Sequence, residues 1–425
     1  MRSLNVSIEI NGQTTFAGNI HGEGSEDSSF QYSTTYLDNP DAVPISISLP
    51  LQVEPFTAAQ TRNYFEGLLP EGFLKMTVAQ RMRTDESDYL SILASLGREC
   101  LGAIMVTDEN DIYTTPRYER LSMEQIRELA REGVTKSVQL VTKAHLSLAG
   151  ASGKVGLYYN PDEFAWYVPM GNAPSTHIVK QSHVRLDAIV ANEQLALTTA
   201  GMLGIEVPES HIINTGNAGE DEVLFATRRY DRVLDPERDN TISGLKAPTR
   251  LHQEDFAQAM GIASINKYES AGHNHMKGMF DIVRRHSSNP IEDMLKLWDI
   301  IVFDYLVGNT DNHIKNLSLV YNENLKVIRL APAYDIISTA IYDSSTRDMA
   351  FHIGDEYNLD KITRDSFKLA ARECGLGERI AMNHFDRMKE GFTAALDKAA
   401  NILTEQGFEK AEELRGKILE LRKWE

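Results

Sequence analysis

The feature that most constrains the fold is an apolar segment that ends in a polar loop. Residues 297–308 are apolar nearly all round, apart from Asp299 and Asp304. A helix without a polar face belongs in the interior of a domain, and this run is too short to span a bilayer. Residues 309–316 are almost all polar and stand before a predicted hairpin, 317–321 and 327–330. A buried helix that leads directly into so polar a loop indicates a functional site more than an ordinary turn.

Strand patterns dominate the first half of the chain and helix patterns the second. Alternating apolar residues predict a strand over 1–10, followed by an Asn11-Gly12 turn. Thr57 and Ser122 each precede a glutamine by three residues, which predicts capped helices. Further strands are expected at 138–140, 147–159, 164–170, 176–182, 209–214 and 222–230, and helices at 57–69, 87–97 and 187–203. After about residue 250 the pattern is mostly helical.

Composition narrows the class of protein. The chain has 43 Lys and Arg against 61 Asp and Glu, a net charge of −18, which disfavours generic binding to nucleic acid or anionic membranes. Its two cysteines, Cys100 and Cys374, cannot form a disulfide framework and suit a reducing compartment. The first ten residues lack the apolar run of a signal peptide. We therefore expect a cytoplasmic protein.

Two features of the strand-rich half could bind phosphate. The small-residue turn Ser147-Leu-Ala-Gly-Ala-Ser-Gly-Lys154 would let backbone N–H groups approach phosphate oxygens. It lacks the spacing of a Walker A loop, so this segment taken alone favours a plain hairpin turn. Lys180 ends an apolar strand just before a helix that carries Glu193, an order that matches the lysine–glutamate pair of kinases. Taken singly, Lys180 is more simply interpreted as a strand-end lysine that reaches into solvent.

Two features of the helical half could bind magnesium. Asp311 and Asn316 have the D-x-x-x-x-N spacing of a kinase catalytic loop, in which the Asp accepts the proton of the acceptor hydroxyl and the Asn binds Mg²⁺. Asp335 follows the predicted hairpin, where kinase-like enzymes place a second magnesium-binding carboxylate. Such hard oxygen ligands suit Mg²⁺. Each feature is weak alone, but the order along the chain is specific.

Seven motifs together resemble the HipA family of bacterial serine/threonine-kinase toxins. They are NYFEGLLPEG (63–72), LGRECLGAI (96–104), SLAGASGK (147–154), THIVK (176–180), RRYDR (228–232), GNTDNHIKNLSL (308–319) and APAYDIIS (331–338). The resemblance runs over about residues 1–390 in the family's order. It implies an α+β, two-lobed protein-kinase-like fold with a strand-rich N-lobe, an extra N-terminal subdomain and an all-helical C-lobe. The expected segments are 1–110, 111–250 and 251–425.

The resemblance also implies roles for individual residues. Asp311 resembles the catalytic base, Asn316 and Asp335 the magnesium ligands, and Ser147 a self-inhibitory autophosphorylation site. A phosphate at Ser147 would repel ATP from the loop. The residues implied in ATP binding are Ala149, Gly150, Ala151, Ser152, Gly153, Lys154, Lys180, Arg228, Arg229, Tyr230, His313, Lys315, Asn316, Tyr334 and Asp335. Among them, Arg228 to Tyr230 align with the hinge that contacts adenine, although the family usually has a glutamate in place of Arg228.

The implied activity is transfer of the ATP γ-phosphate to Ser or Thr of a protein, with Mg²⁺ as cofactor. An aminoacyl-tRNA synthetase is the implied substrate class, and a small HipB-like helix-turn-helix antitoxin is the implied partner, through which contact with DNA would mainly occur. Two other functions stay open at this stage. One is a phosphotransferase that acts on a small molecule, and the other is a nucleotide-binding corepressor that works with a DNA-binding partner.

Overall fold

The computed structural model describes residues 2–109, 115–132, 136–140, 148, 153–181, 186–215 and 222–421. The chain divides into two compact units. The first comprises Met1–Gln181, Ile213–Ser264 and Val320–Val327, and the second comprises Ser182–Ile212, Ile265–Leu319 and Ile328–Glu425. The three segments expected from the sequence stay a prediction.

Two larger sheets lie wholly or mostly in the first unit. One has the strand order Ser29–Tyr32, Gln13–Gly22, Arg2–Ile10, Ile104–Asp108. Asn11 and Gly12, which join its two long strands, have φ of 52° and 77°, as a type I′ hairpin turn requires. The other sheet has the order Arg117–Arg120, Ala165–Met170, Lys154–Asn160, His177–Gln181, Val223–Arg228, Ser210–Asn214. The turn and most of the strands are thus confirmed.

Short strand pairs follow the large sheet along the chain. Arg232–Val233 pairs with Thr249–Arg250, and Thr241–Ile242 pairs with Leu245–Lys246. A further short strand is Gln253–Asp255, and Ser318–Tyr321 and Ile328–Leu330 form the hairpin that the sequence predicted. The 3₁₀ turns are Glu66–Leu68 and Ser264–Asn266.

The helices up to residue 260 agree with the sequence in part. They are Thr34–Leu37, Ala58–Phe65, Gly72–Met82, Tyr89–Leu96, Met123–Glu132, Ile189–Met202, which belongs to the second unit, and Phe256–Met260. Thr57 and Gln60 form the predicted capping box, and so do Ser122 and Gln125. The strand predicted at 138–140 is wrong, because these residues are helical, and the helix Gly72–Met82 was not predicted. Local patterns missed both because neither segment has a strong periodicity.

The second unit is built around the predicted apolar helix. Its helices are Ile189–Met202, His275–His286, Pro290–Val307, Arg364–Glu373, Glu378–Glu405 and Lys410–Glu420. Most of the last three turns of Pro290–Val307 is buried, including Trp298 and Phe303. The prediction of an all-helical C-lobe is wrong, because Asp348–Ile353 and Glu356–Asn358 form a further antiparallel pair. In the described ranges no helix has both the length and the hydropathy that a membrane span needs.

A cluster of six buried charges holds the first unit together. Glu99 forms ion pairs with Arg229 (3.2 Å), Arg232 (2.9 Å) and Arg250 (2.7 Å). Asp231 pairs with Arg229 (2.7 Å) and Arg232 (2.9 Å), and Glu9 pairs with Arg250 (3.0 Å). Three carboxylates therefore face three guanidinium groups, and the charges balance. Burial alone would raise the pKa of Glu99, but the three arginines lower it to about 2.

We expect Glu99→Gln to lower the free energy of unfolding by about 3–5 kcal/mol, because it leaves three buried guanidinium groups with two carboxylates. Urea denaturation at pH 7 measures the change. Asp386→Asn is the control, because it breaks the exposed pair Arg364–Asp386 (2.6 Å) and is expected to cost no more than about 1 kcal/mol. Equal losses in the two variants would contradict a central role for the cluster.

Candidate active site

The polar loop begins where the buried helix ends at a glycine. Gly308 has φ of 75°, and its N–H and that of Asn309 bond to the carbonyls of the last helical turn. A Cβ at Gly308 would also lie 2.5 Å from a side-chain carbon of Leu421, so no other residue fits this position without a shift. The glycine therefore sets the direction in which the loop leaves the helix.

A buried carboxyl group of the same helix organises the loop. Asp304 is fully buried, its Oδ1 accepts a hydrogen bond from the side-chain amide of Asn309 (2.8 Å), and its Oδ2 accepts one from the side-chain amide of Asn312. Burial raises the pKa of Asp304 to about 8. Sequence reasoning missed this role, although an acid inside an apolar helix one turn before a polar loop was a usable signal.

Asp311 and Asn316 are joined through the backbone. The side-chain nitrogen Nδ2 of Asn316 donates to the backbone carbonyl oxygen of Asp311 (3.1 Å), and the backbone N–H of His313 donates to the same oxygen (2.8 Å). The carboxylate of Asp311 is exposed, whereas Asn316 is buried. Because the side-chain nitrogen of Asn316 already donates a hydrogen bond, the side-chain oxygen is the atom that could ligate a cation.

Asp335 has a backbone conformation that few residues adopt. Its φ is 58°, in the left-handed region, where Asp is tolerated better than most residues, and its side chain is half-buried. Residues held in this region occur preferentially at functional sites. The second strand of the hairpin ends at Leu330, so the predicted place of Asp335 after the hairpin is confirmed. Its role as a metal ligand stays a prediction.

Hydrogen bonds tie the loop of Asp335 to the loop of Asp311. Tyr334 Oη contacts the carbonyl oxygen of Lys315 (3.0 Å) and the hydroxyl of Ser318 (2.6 Å). Ser338 Oγ donates to the carbonyl of Val307 (2.6 Å), and Ala340 N–H donates to the carbonyl of Gly308 (2.9 Å). The second unit thus brings both predicted magnesium-binding segments together.

The helix Ile189–Met202 also forms hydrogen bonds to the loop that carries Asp335. Asn192 makes a two-way contact with the backbone of Ser338, because its side-chain nitrogen donates to the carbonyl (3.0 Å) and its side-chain oxygen accepts from the N–H (2.9 Å). The next residue, Glu193, is buried. Its predicted pairing with Lys180, a residue of the first unit, stays a prediction.

The donor set suits magnesium better than a tightly ligated transition metal. In the part of the chain that the structure describes, no three His, Cys, Asp or Glu side chains cluster as a metal site. One amide oxygen from Asn316 and one carboxylate from Asp335 would leave most coordination positions to water and phosphate oxygens, as Mg²⁺ prefers. These two residues therefore fit a magnesium ion shared with a nucleotide.

In the first unit, two lysines stand opposite each other on adjacent strands. Lys154 and Lys180 are register partners, and Lys180 is only 9% exposed. The Lys180 ammonium lies 5.6 Å from the ring centroid of Phe225, its register partner on the other side. Two lysines on adjacent strands are candidates for binding an anion such as phosphate.

Part of the predicted phosphate loop lies outside the described residues. Gly153 is described and buried, directly before Lys154. Ala149, Gly150, Ala151, Ser152 and the predicted phosphosite Ser147 fall outside the ranges that the structure describes.

The predicted hinge contains one residue with a buried side chain. The side chain of Arg229 is fully buried in the six-charge cluster and also donates to the carbonyl of Cys100 (3.0 Å) and to Ser175 Oγ (3.0 Å). The side chain of Arg229 is therefore engaged in the cluster, and its predicted place in the hinge stays a prediction. Arg228 is exposed and Tyr230 is half-buried, so their predicted contacts with a nucleotide stay open.

We expect the pH dependence of stability to change in Asp304→Asn. Between pH 4 and 8 the folded protein keeps a proton on Asp304 that the unfolded chain has lost, so the free energy of unfolding falls as pH rises, by up to about 1.4 kcal/mol per pH unit. The variant lacks this group and should show a flatter profile in urea denaturation from pH 5 to 8. An identical slope in the two proteins would show that Asp304 is ionised throughout.

Comparison with known proteins identifies the family. The HipA N-terminal domain matches residues 8–107, and the HipA-like C-terminal domain matches residues 146–396. Y4mE of Sinorhizobium fredii, a kinase by name, is 31% identical over 417 residues, which are 95% of this chain and 94% of that protein. The serine/threonine-protein kinase toxin HipA of Shewanella oneidensis is 26% identical over 349 residues, 79% of this chain and 75% of the relative.

A solved structure shows the same fold. The match is to the Shewanella oneidensis MR-1 complex of HipA, HipB and operator DNA, with a TM-score of 0.78 and 20% identity over 97% of this chain and 96% of that one. The predicted two-lobed, kinase-like α+β fold is therefore confirmed. Because the C-terminal domain matches more than half of the chain and a relative above 30% identity spans nearly all of it, this protein belongs to the HipA kinase family.

Proposed function

We propose that this protein is a Mg²⁺- and ATP-dependent protein serine/threonine kinase and the toxin of a toxin–antitoxin pair. The observation that carries the proposal is the pair of linked loops in the second unit. One loop presents the exposed carboxylate of Asp311 beside Asn316, and the other presents Asp335 on a left-handed backbone. A base candidate together with two hard oxygen ligands is the set that phosphoryl transfer requires.

In the proposed reaction, Asp311 orients the acceptor hydroxyl and takes its proton. The bond from the acceptor oxygen to the γ-phosphorus forms while the bond from that phosphorus to the β–γ bridging oxygen breaks, and ADP leaves. Asn316 and Asp335 would hold Mg²⁺, which neutralises charge on the phosphates. Lys154 and Lys180 would add positive charge. Catalysis then rests on positioning and electrostatic stabilisation.

The proposed acceptor is a protein of the aminoacyl-tRNA synthetase class, whose modification would stop translation in the cytoplasm. The proposed partner is a HipB-like helix-turn-helix antitoxin, in line with the HipB that is bound in the similar structure. With a net charge of −18, this chain is poorly suited to bind DNA by itself, so the antitoxin would supply most of the DNA contact.

We expect Asp311→Asn and Asp335→Asn each to lower phosphate transfer by at least about 10²-fold, because one loses the proton acceptor and the other a metal ligand. Transfer of label from γ-labelled ATP to a protein acceptor measures this, and Asp355→Asn is the control, since Asp355 is exposed in the turn between Asp348–Ile353 and Glu356–Asn358. Asp311→Asn and Asp335→Asn should also abolish growth arrest on expression.

Two other outcomes would identify one of the open functions, and a third would test the mechanism. Transfer to a metabolite and to no protein would identify a small-molecule phosphotransferase. ATP binding without turnover in the wild-type protein would favour a corepressor. Full activity of Asp311→Asn would refute the proposed mechanism.

We expect autophosphorylation at Ser147, followed by loss of activity, because a phosphate dianion in a phosphate-binding loop repels ATP. Mass spectrometry after incubation with ATP locates the phosphate. Ser147→Ala should stay active when the wild-type protein has inactivated itself, whereas Ser344→Ala, at an exposed loop residue, should inactivate like the wild type. Wild-type inactivation with Ser147 unmodified would disprove this regulation.

A further inference from the structure

A tyrosine hydroxyl lies on the carboxylate that is proposed to act as the base. Tyr268 Oη donates a hydrogen bond to Asp311 Oδ1 at 2.5 Å, and both residues belong to the second unit. The tyrosine is 46% exposed and Asp311 is also exposed, so burial does not force the two groups together. The contact requires another explanation.

The ring of Tyr268 is itself held against the predicted ATP-binding segment. It packs edge-on against the ring of His313, with centroids 5.2 Å apart and an interplanar angle of 83°. The ammonium of Lys267 lies 5.4 Å from the centre of the same ring. These contacts restrict the directions in which the hydroxyl can point.

The backbone next to Tyr268 is fixed by a buried carboxylate. Glu269 accepts hydrogen bonds from Tyr357 Oη (2.6 Å) and from the backbone N–H of His275 (2.5 Å), and its side chain also contacts His352. Its own N–H donates to the carbonyl of Ala350 (2.9 Å). Tyr268 is thus presented to Asp311 from a firmly anchored segment.

We propose that Tyr268 is a positioning residue that orients the carboxylate of Asp311 for phosphate transfer. The terminal torsion of an aspartate is broad, so an exposed carboxylate would rotate unless a partner holds it. A hydrogen bond from the phenol to Oδ1 restricts this rotation. This inference rests on the proposed kinase function, and it adds a residue that the sequence motifs do not include.

The direct test is Tyr268→Phe in the full chain. We expect kcat for transfer to a protein acceptor to fall about tenfold while KM for ATP stays unchanged, because the carboxylate loses its orientation and the nucleotide site does not change. The matched control is Tyr167→Phe, which also removes a tyrosine–carboxylate hydrogen bond, to Glu163 (2.8 Å), and should leave kcat unchanged. A kcat equal to that of the control would overturn the proposal, and a raised kcat would instead identify the phenol as a blocking group.

A double-mutant cycle with Asp311→Ala shows whether Tyr268 acts through Asp311. In that background, Tyr268→Phe should cause no further loss of single-turnover transfer, whereas multiplied losses would overturn the proposal. If the wild-type protein transfers no phosphate at all, the proposed function fails separately. The same cycle in urea denaturation then decides the contact: coupled changes in unfolding midpoint support the hydrogen bond, and additive changes overturn it.

Discussion

The first unit depends on the buried contact between Glu99 and three arginines. Charges of this kind are costly to remove from water, and only close pairing with several partners offsets the cost. Glu99 obtains such partners from Arg229, Arg232 and Arg250, which come from a distant part of the chain. The cluster therefore links the matched N-terminal domain to the C-terminal one, because Glu9 and Glu99 belong to residues 8–107 and the arginines to residues 146–396.

The second unit uses a buried carboxyl group for a different purpose. Asp304 does not balance a charge but holds two asparagines of the polar loop, Asn309 and Asn312. A rigid apolar helix can in this way direct a loop whose own residues have little tendency to pack. The loop of Asp335 is then attached to it by hydrogen bonds from Tyr334, Ser338 and Ala340. The exposed carboxylate of Asp311 is consequently carried by a well-supported backbone.

The strong negative charge of the chain limits where an anion can bind. Lys154 and Lys180, which are register partners on adjacent strands, are the proposed local site for a phosphate group on a chain of net charge −18. Such a local site favours a phosphate group over an extended nucleic-acid backbone, which would meet repulsion elsewhere. The acidic composition and the proposed ATP site are therefore compatible.

Local chemistry in the sequence determined the turns, caps and strand patterns of this protein. The Asn11-Gly12 turn, the Thr57 capping box and the glycine after the apolar helix depend on neighbouring residues, so they could be predicted from the sequence. The order of motifs along the chain also indicated the family and the fold. These features need no knowledge of distant contacts.

Only the tertiary structure decided which polar side chains are buried and what they contact. The side chain of Arg229 lies in the buried charge cluster, which no local pattern indicates, and the pair of strands near residue 350 was not expected in the C-lobe. Tyr268 meets Asp311 across 43 positions of the sequence, and no local pattern marks it. The physical reason is that ion pairs and hydrogen bonds between distant segments depend on how the chain folds back on itself, which local periodicity does not record.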